Sequence, residues 1–157
     1  MKQTRITAGL CYVEPDSMAR FSSCAGLVIR SRKQVFIDMN LGGADTRTLL
    51  ENERPDAALI THFHLDHSIW TGQAEKAGVQ VFVPAKEAAF LTSIEHVIAH
   101  TAGPLGQGEP WREFVENTLG YQPLEQFFTY DHETVLTELA PELVILETPG
   151  HSPGHSS

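Results

Sequence analysis

Residues 61–68 read Thr-His-Phe-His-Leu-Asp-His-Ser, and they constrain this 157-residue chain more than any other stretch. They follow an apolar run, Ala57-Ala58-Leu59-Ile60, of the kind that makes a short buried strand. Side chains alternate along extended backbone, so His62 and His64 project to the same side. Leu65 separates them from two adjacent ligands, Asp66 and His67. Three imidazoles and a carboxylate thus converge within six residues. Imidazole nitrogen and carboxylate oxygen suit zinc, iron(II) or manganese. One ion cannot comfortably take all four groups from so short a segment. The pattern therefore points to a metal site with one ion or two.

His62-Phe63-His64-Leu65-Asp66-His67 resembles the H-x-H-x-D-H signature of the metallo-β-lactamase superfamily. A second stretch, Thr148-Pro149-Gly150-His151-Ser152-Pro153-Gly154-His155, leaves the apolar residues 143–146 and resembles the family's T-P-G-H-[ST] turn. Its longer form is similar to that of the lactone-hydrolysing and related branches, including glyoxalase-type enzymes. The resemblance implies an α/β (α+β) fold, a metallo-β-lactamase-like αββα sandwich. It also implies that His62, His64 and His151 make a first metal site, with Asp66 and His67 facing a second ion. Three imidazoles leave a fourth tetrahedral position for water or substrate, as in catalytic zinc sites. Metal-bound hydroxide is then the expected nucleophile, and Asp66 the residue that orients it and accepts its proton. Zinc is the expected cofactor, with iron or manganese as alternatives.

In the family, a bridging aspartate and one further histidine lie beyond the T-P-G-H turn, in a half that builds the other layer of the sandwich. This sequence stops at Ser157. The expectation is one domain over 1–157 with only the N-terminal part of the sandwich, its first site complete and its second short of ligands. A large apolar sheet face does not persist uncovered in a soluble monomer. Either the missing C-terminal half covers it, or a second copy does so in a homodimer.

Twenty acidic residues against eleven basic ones leave a net charge of −9. That disfavours nucleic acid as a partner and makes a ribonuclease-like member of the superfamily the least favoured. It leaves a small-molecule substrate. Cys11 and Cys24 lack C-x-x-C spacing, so they read as reduced, mostly buried thiols. No apolar stretch near Met1 is long enough for a signal peptide, and none approaches a membrane span. A cytoplasmic protein without membrane contact is the default.

Turn residues and apolar runs predict strands at 6–13, 24–30, 34–38, 57–60 and 79–83, with a closing hairpin of 135–138 and 143–147. A turn at Glu14-Pro15-Asp16-Ser17 closes the first strand. Helices are expected from a cap at Asp45 or Thr46 to Leu50, from His67 to Lys76, over 86–99 and over 111–119. Residues 86–126 read as a helical excursion from the sheet, either a substrate-gating cap or a packing layer, with a loop at 101–110. His96 and His100 share helical i,i+4 spacing without the H-E-x-x-H pattern, and read as a solvated face. His155 reads as a turn residue or outer partner of the site, and Asp131-His132-Glu133 as a polar loop. No phosphate-binding glycine loop or Ser-His-Asp signature is present.

The leading expectation is a metal-dependent hydrolase acting on an ester, lactone, thioester or amide. Two alternatives stand beside it: a mononuclear iron oxygenase on the same fold, and a truncated, non-catalytic metal-binding chain.

Overall fold

The apolar runs pair in the order in which they are made. The computed structural model describes residues 2–15, 22–131, 136, 139 and 143–157. Among these, seven strands form one sheet in sequence order: β1 Lys2–Arg5, β2 Leu10–Glu14, β3 Gly26–Arg30, β4 Gln34–Ile37, β5 Ala57–Leu59, β6 Gln80–Pro84 and β7 Phe128–Tyr130. Strands β1 to β4 pair antiparallel. From β4 to β7 each pairing is parallel, and each crossover carries helix. The helices are α1 Gly43–Glu53, α2 Leu65–Ser68, α3 Thr71–Lys76, α4 Ala88–Thr92, α5 Ile94–His100 and α6 Gly108–Asn117.

Period-two alternation sorts the side chains between the two faces of the sheet. Val28, Phe36, Ala58 and Val81 stand opposite one another across four strands and are almost wholly buried. They join the main core beneath the helices, with Trp70, Leu91, Val97 and Val115. On the other face Val35, Ala57 and Leu59 form a smaller cluster under Leu136, Leu139 and Leu143. Phe128, Val144 and Leu146 remain more than half exposed.

Several elements depart from expectation for local reasons. The single strand expected at 6–13 is instead the turn and most of the second strand of a hairpin; β1 precedes it, and the N–H groups of Ile6 and Thr7 on the Leu10 carbonyl close the turn. Gly9 is needed there, because a Cβ would lie 2.8 Å from the Arg30 carbonyl oxygen. Helix α1 is capped by Gly42 at φ 97° rather than by Asp45 or Thr46. Thr46 instead folds its hydroxyl back to accept the Leu41 N–H at 3.0 Å. The helix expected from His67 to Lys76 is two short helices, α2 and α3. The buried Trp70 indole donates to the His67 carbonyl at 2.8 Å, an acceptor that a continuous helix would offer to Thr71. Ser93 splits the helix expected at 86–99. It is extended and caps α5 by accepting the Glu95 N–H.

The loop at 101–110 is partly helical, with a 3-10 turn at Gly103–Leu105 and the start of α6. Strand β7 lies outside every expected strand. Of the closing hairpin, Val135, Thr137 and Glu138 lie outside the described residues, as do Asp16 and Ser17 of the first turn and His132 and Glu133 of the polar loop. In place of a strand, residues 143–147 contribute isolated bridges at Val144 and Glu147, the latter to Ser156. Among the described residues no helix is long and apolar enough to cross a membrane.

Candidate metal centre

The parallel strands end on one edge of the sheet, and the segments that leave them carry the ligand-type side chains. His62 follows β5 directly and is 2 % exposed. Around it stand four more imidazoles, with ring centroids at 4.7 Å for His64, 4.3 Å for His67, 4.8 Å for His151 and 4.9 Å for His155. Among the described residues, two sets can each bring three ligand atoms within 4.8 Å of one another: His62, His64 and His151, and Asp38, His62 and His67. The two sets share His62.

The loop is tied down from every side. Phe63 is buried and stacks on Phe90 at 4.1 Å, and its carbonyl accepts the Ser68 hydroxyl at 2.8 Å. Asn40 Nδ2, also buried, donates to the Asp66 carbonyl at 2.7 Å and to the Ser22 carbonyl at 2.8 Å. The second motif folds against the first through the Ser156 N–H on the Thr61 carbonyl at 3.0 Å. Within it Gly150 takes φ 137°, where a side chain would be strained, and His151 follows at the exposed lip. His64 Nδ1 then lies 3.0 Å from His151 Nε2.

Hydrogen bonding fixes the tautomer of His62. Asp38 accepts the Thr61 N–H on Oδ1 at 2.8 Å and the Thr61 hydroxyl on Oδ2 at 2.6 Å. A carboxylate can only accept, so the single hydroxyl proton of Thr61 is committed to it. The Thr61 oxygen, 2.9 Å from His62 Nδ1, must therefore accept from Nδ1–H. That leaves Nε2 unprotonated. It is buried and has no hydrogen-bond partner among the described residues, a costly arrangement unless something binds it. A divalent ion fits: ligating histidines commonly donate the other ring N–H to an oxygen, and zinc lies about 2.0–2.1 Å from each nitrogen. Tetrahedral donors at that distance stand roughly 3.3 Å apart, close to the His64–His151 spacing.

Charge separates the imidazoles. Burial, and the repulsion of the neighbouring imidazoles, hold His62 down at about 3, so it is neutral at ordinary pH. Burial and His151 also lower His64. His67 goes the other way. Burial pulls it down, but hydrogen bonding to Asp38 and Cys24 outweighs that and raises it to about 10. Its Nδ1 is 3.1 Å from Asp38 Oδ2. An ion in the second set has to displace that proton, whereas the first set starts nearer to the ligating state.

The remaining candidates fall at varying distances from this cluster. Asp66 Oδ2 lies 3.5 Å from His67 Nε2, but Asp66 belongs to neither three-residue set. His155 packs against His62 while its Nδ1 contacts Thr148 Oγ1 at 2.9 Å. His96 and His100 are exposed and outside both sets; His96 Nδ1 contacts the Ala89 carbonyl. Asp38 is the group that sequence reasoning passed over. Its one sequence signal is a carboxylate ending the apolar run Val35-Phe36-Ile37.

Beside His64 and Asp66 opens a cavity of about 150 Å³, lined by Phe63, Leu65, Val97, Trp111 and Leu119. Helices α5 and α6 of the 86–126 excursion supply part of its wall.

No family model matches the chain, and no curated protein matches its sequence. Solved structures do match. A metallo-β-lactamase family protein from Thermus thermophilus, TTHA1429, superposes with a TM-score of 0.65 at 23 % identity, over 97 % of this chain and 56 % of that one. The FIM-1 metallo-β-lactamase from Pseudomonas aeruginosa, in its mono-zinc form, gives 0.62 at 18 % identity, over 99 % of this chain and 62 % of that one. TTHA1623, in a di-iron-bound form, gives 0.54 at 20 % identity, over 84 % of this chain and 59 % of that one. The chain thus spans little more than half the length of the structures it matches. Over the length it spans, it has the metallo-β-lactamase fold.

Proposed function

We propose that the chain carries the metal-binding part of a hydrolase acting on an ester, lactone, thioester or amide. The single observation behind this reading is the lone pair on His62 Nε2, buried between His64 and His151 and without a partner among the described residues. In this reading His62, His64 and His151 hold one divalent ion, zinc in the first instance. When bound, such an ion supplies a Lewis acid for the substrate carbonyl and acidifies water. Asp66, on the cavity wall beside His64, accepts the proton of the attacking water on its carboxylate. The apolar cavity takes the acyl side of the substrate, and Phe63, Leu65 and Trp111 exclude bulk water from it. The 86–126 excursion then serves as the cap of the site.

The test is a panel of aryl esters, lactones, thioesters and β-lactams, assayed with and without a chelator. Turnover that disappears on chelation and returns with Zn2+ supports the reading. Turnover indifferent to chelation, or a folded chain that retains no divalent ion, overturns it. Iron is the alternative metal, because one structure sharing this fold is the di-iron form named above. Elemental analysis of protein purified without added metal separates the two ions.

A further inference from the structure

Three donors converge on a carboxylate for which the proposed chemistry has no use. Glu87 ends the 3-10 turn Ala85–Glu87, which follows β6, and it is 0 % exposed. A buried carboxylate is tolerated only where hydrogen bonds replace its water. Glu87 Oε2 accepts the N–H of Phe63, the residue between His62 and His64, at 3.0 Å. Its other oxygen, Oε1, reaches the second motif. There it accepts the Ser152 hydroxyl at 2.8 Å and the Gly154 N–H at 2.5 Å, just past His151.

A second observation points the same way. At Gly154 a Cβ would lie 2.9 Å from both Glu87 Cγ and Lys86 Cβ, and 3.0 Å from Glu87 Oε1. Nothing larger than glycine lets the His151 loop lie so close on the carboxylate. On the outer side the loop's base is held by Lys86, whose Nζ is 2.9 Å from Glu147 Oε2. The residues of one turn, Ala85–Glu87, therefore grip both ligand-bearing loops from behind.

We infer that Glu87 is a positioning residue for the metal site: its two oxygens set the distance between the His62–His64 loop and the His151 loop. This rests on the metal-site reading above and adds to it a strut that touches no ligand atom. The spacing of the imidazoles is then preset before an ion arrives, and less of the binding energy goes into ordering loops.

Glu87→Gln is the sharp perturbation. The amide is nearly the same size but offers one oxygen and one NH2. Both carboxylate oxygens now receive a backbone N–H, so either orientation of the amide sets N–H against N–H on one loop. Ser152→Ala is milder, since it removes one donor and leaves the Gly154 anchor.

The experiment titrates the full 157-residue chain with Co2+ against a chromophoric chelator. It also records the visible Co2+ spectrum, with far-ultraviolet circular dichroism as the check on folding. His64→Ala is the control for the site itself. Glu87→Gln should weaken Co2+ binding about 10- to 100-fold and alter the spectrum while the chain stays folded. Ser152→Ala should shift binding the same way by less than about 10-fold. A folded Glu87→Gln chain with wild-type affinity and spectrum overturns the strut while leaving the metal site standing. If Glu87→Gln does not fold, Ser152→Ala decides, and unchanged affinity and spectrum there overturn the strut. Wild-type binding by His64→Ala overturns the metal-site reading instead, which is a separate result.

Discussion

Replacing Tyr130 with Phe removes one buried oxygen and little else. Tyr130 ends β7, is 4 % exposed, and its hydroxyl donates to the Ile60 carbonyl at 2.5 Å. Ile60 lies two residues before His62, so the bond ties the sheet edge to the root of the metal loop. The variant leaves that carbonyl buried without this donor, which costs about 1–3 kcal/mol. In a domain of this size each kcal/mol corresponds to roughly 2–4 °C in Tm. Alkaline pH supplies a second handle. Burial raises the Tyr130 phenol above its ordinary range and the Tyr121 phenol to about 12. The folded chain therefore keeps protons that the unfolded chain, with phenols near pH 10, has released. Stability from these groups is complete below about pH 10 and is lost as pH rises further. Tyr130→Phe has no such phenol to lose, so its deficit against wild type should shrink by up to about 1.4 kcal/mol per pH unit above 10. Melts of both proteins at about pH 8 and about pH 11 test both parts. An unchanged Tm at the lower pH would rule out the stabilising bond to Ile60, and an equal deficit at both would rule out the raised phenol.

The second set of ligands should hold an ion only weakly, because it shares His62 with the first and Asp38 is already engaged by Thr61 and His67. A zinc titration by calorimetry should show one tight equivalent, and two equally tight ones would refute this. We also propose that two copies associate through the exposed apolar residues Phe128, Val144 and Leu146, since burying apolar area yields about 25 cal/mol per Å². Light scattering should give twice the chain mass, and a folded monomer at micromolar concentration would refute it.

Much of the sheet is legible in the sequence because its signals are local. The hairpin of β3 and β4 is marked by two β-branched runs around Ser31-Arg32-Lys33, and β5 by an apolar run after Pro55. The clustering of His62 with His64 follows from strand alternation, and the approach of His151 from its motif. What stays hidden depends on pairing at a distance. Phe128-Thr129-Tyr130 is too short to announce a strand, and it is one because the edge of β6 accepts it. Asp38 stands 24 residues before His62, and no spacing rule links the end of one strand to the loop after the next. Glu87 reads as an ordinary helix-start glutamate until three donors from two distant loops are found upon it. The breaks at Trp70 and Ser93 turn on single hydrogen bonds, which periodicity does not register.

In the proposed site His62, His64 and His151 together hold one divalent ion. The most direct test of this is the metal content of the folded chain and of the variants His62→Ala, His64→Ala and His151→Ala, each dialysed against Zn2+ and measured by mass spectrometry. The wild-type chain should retain one tightly held ion, and each variant should lose it. Unchanged metal content in all three variants would contradict the assignment.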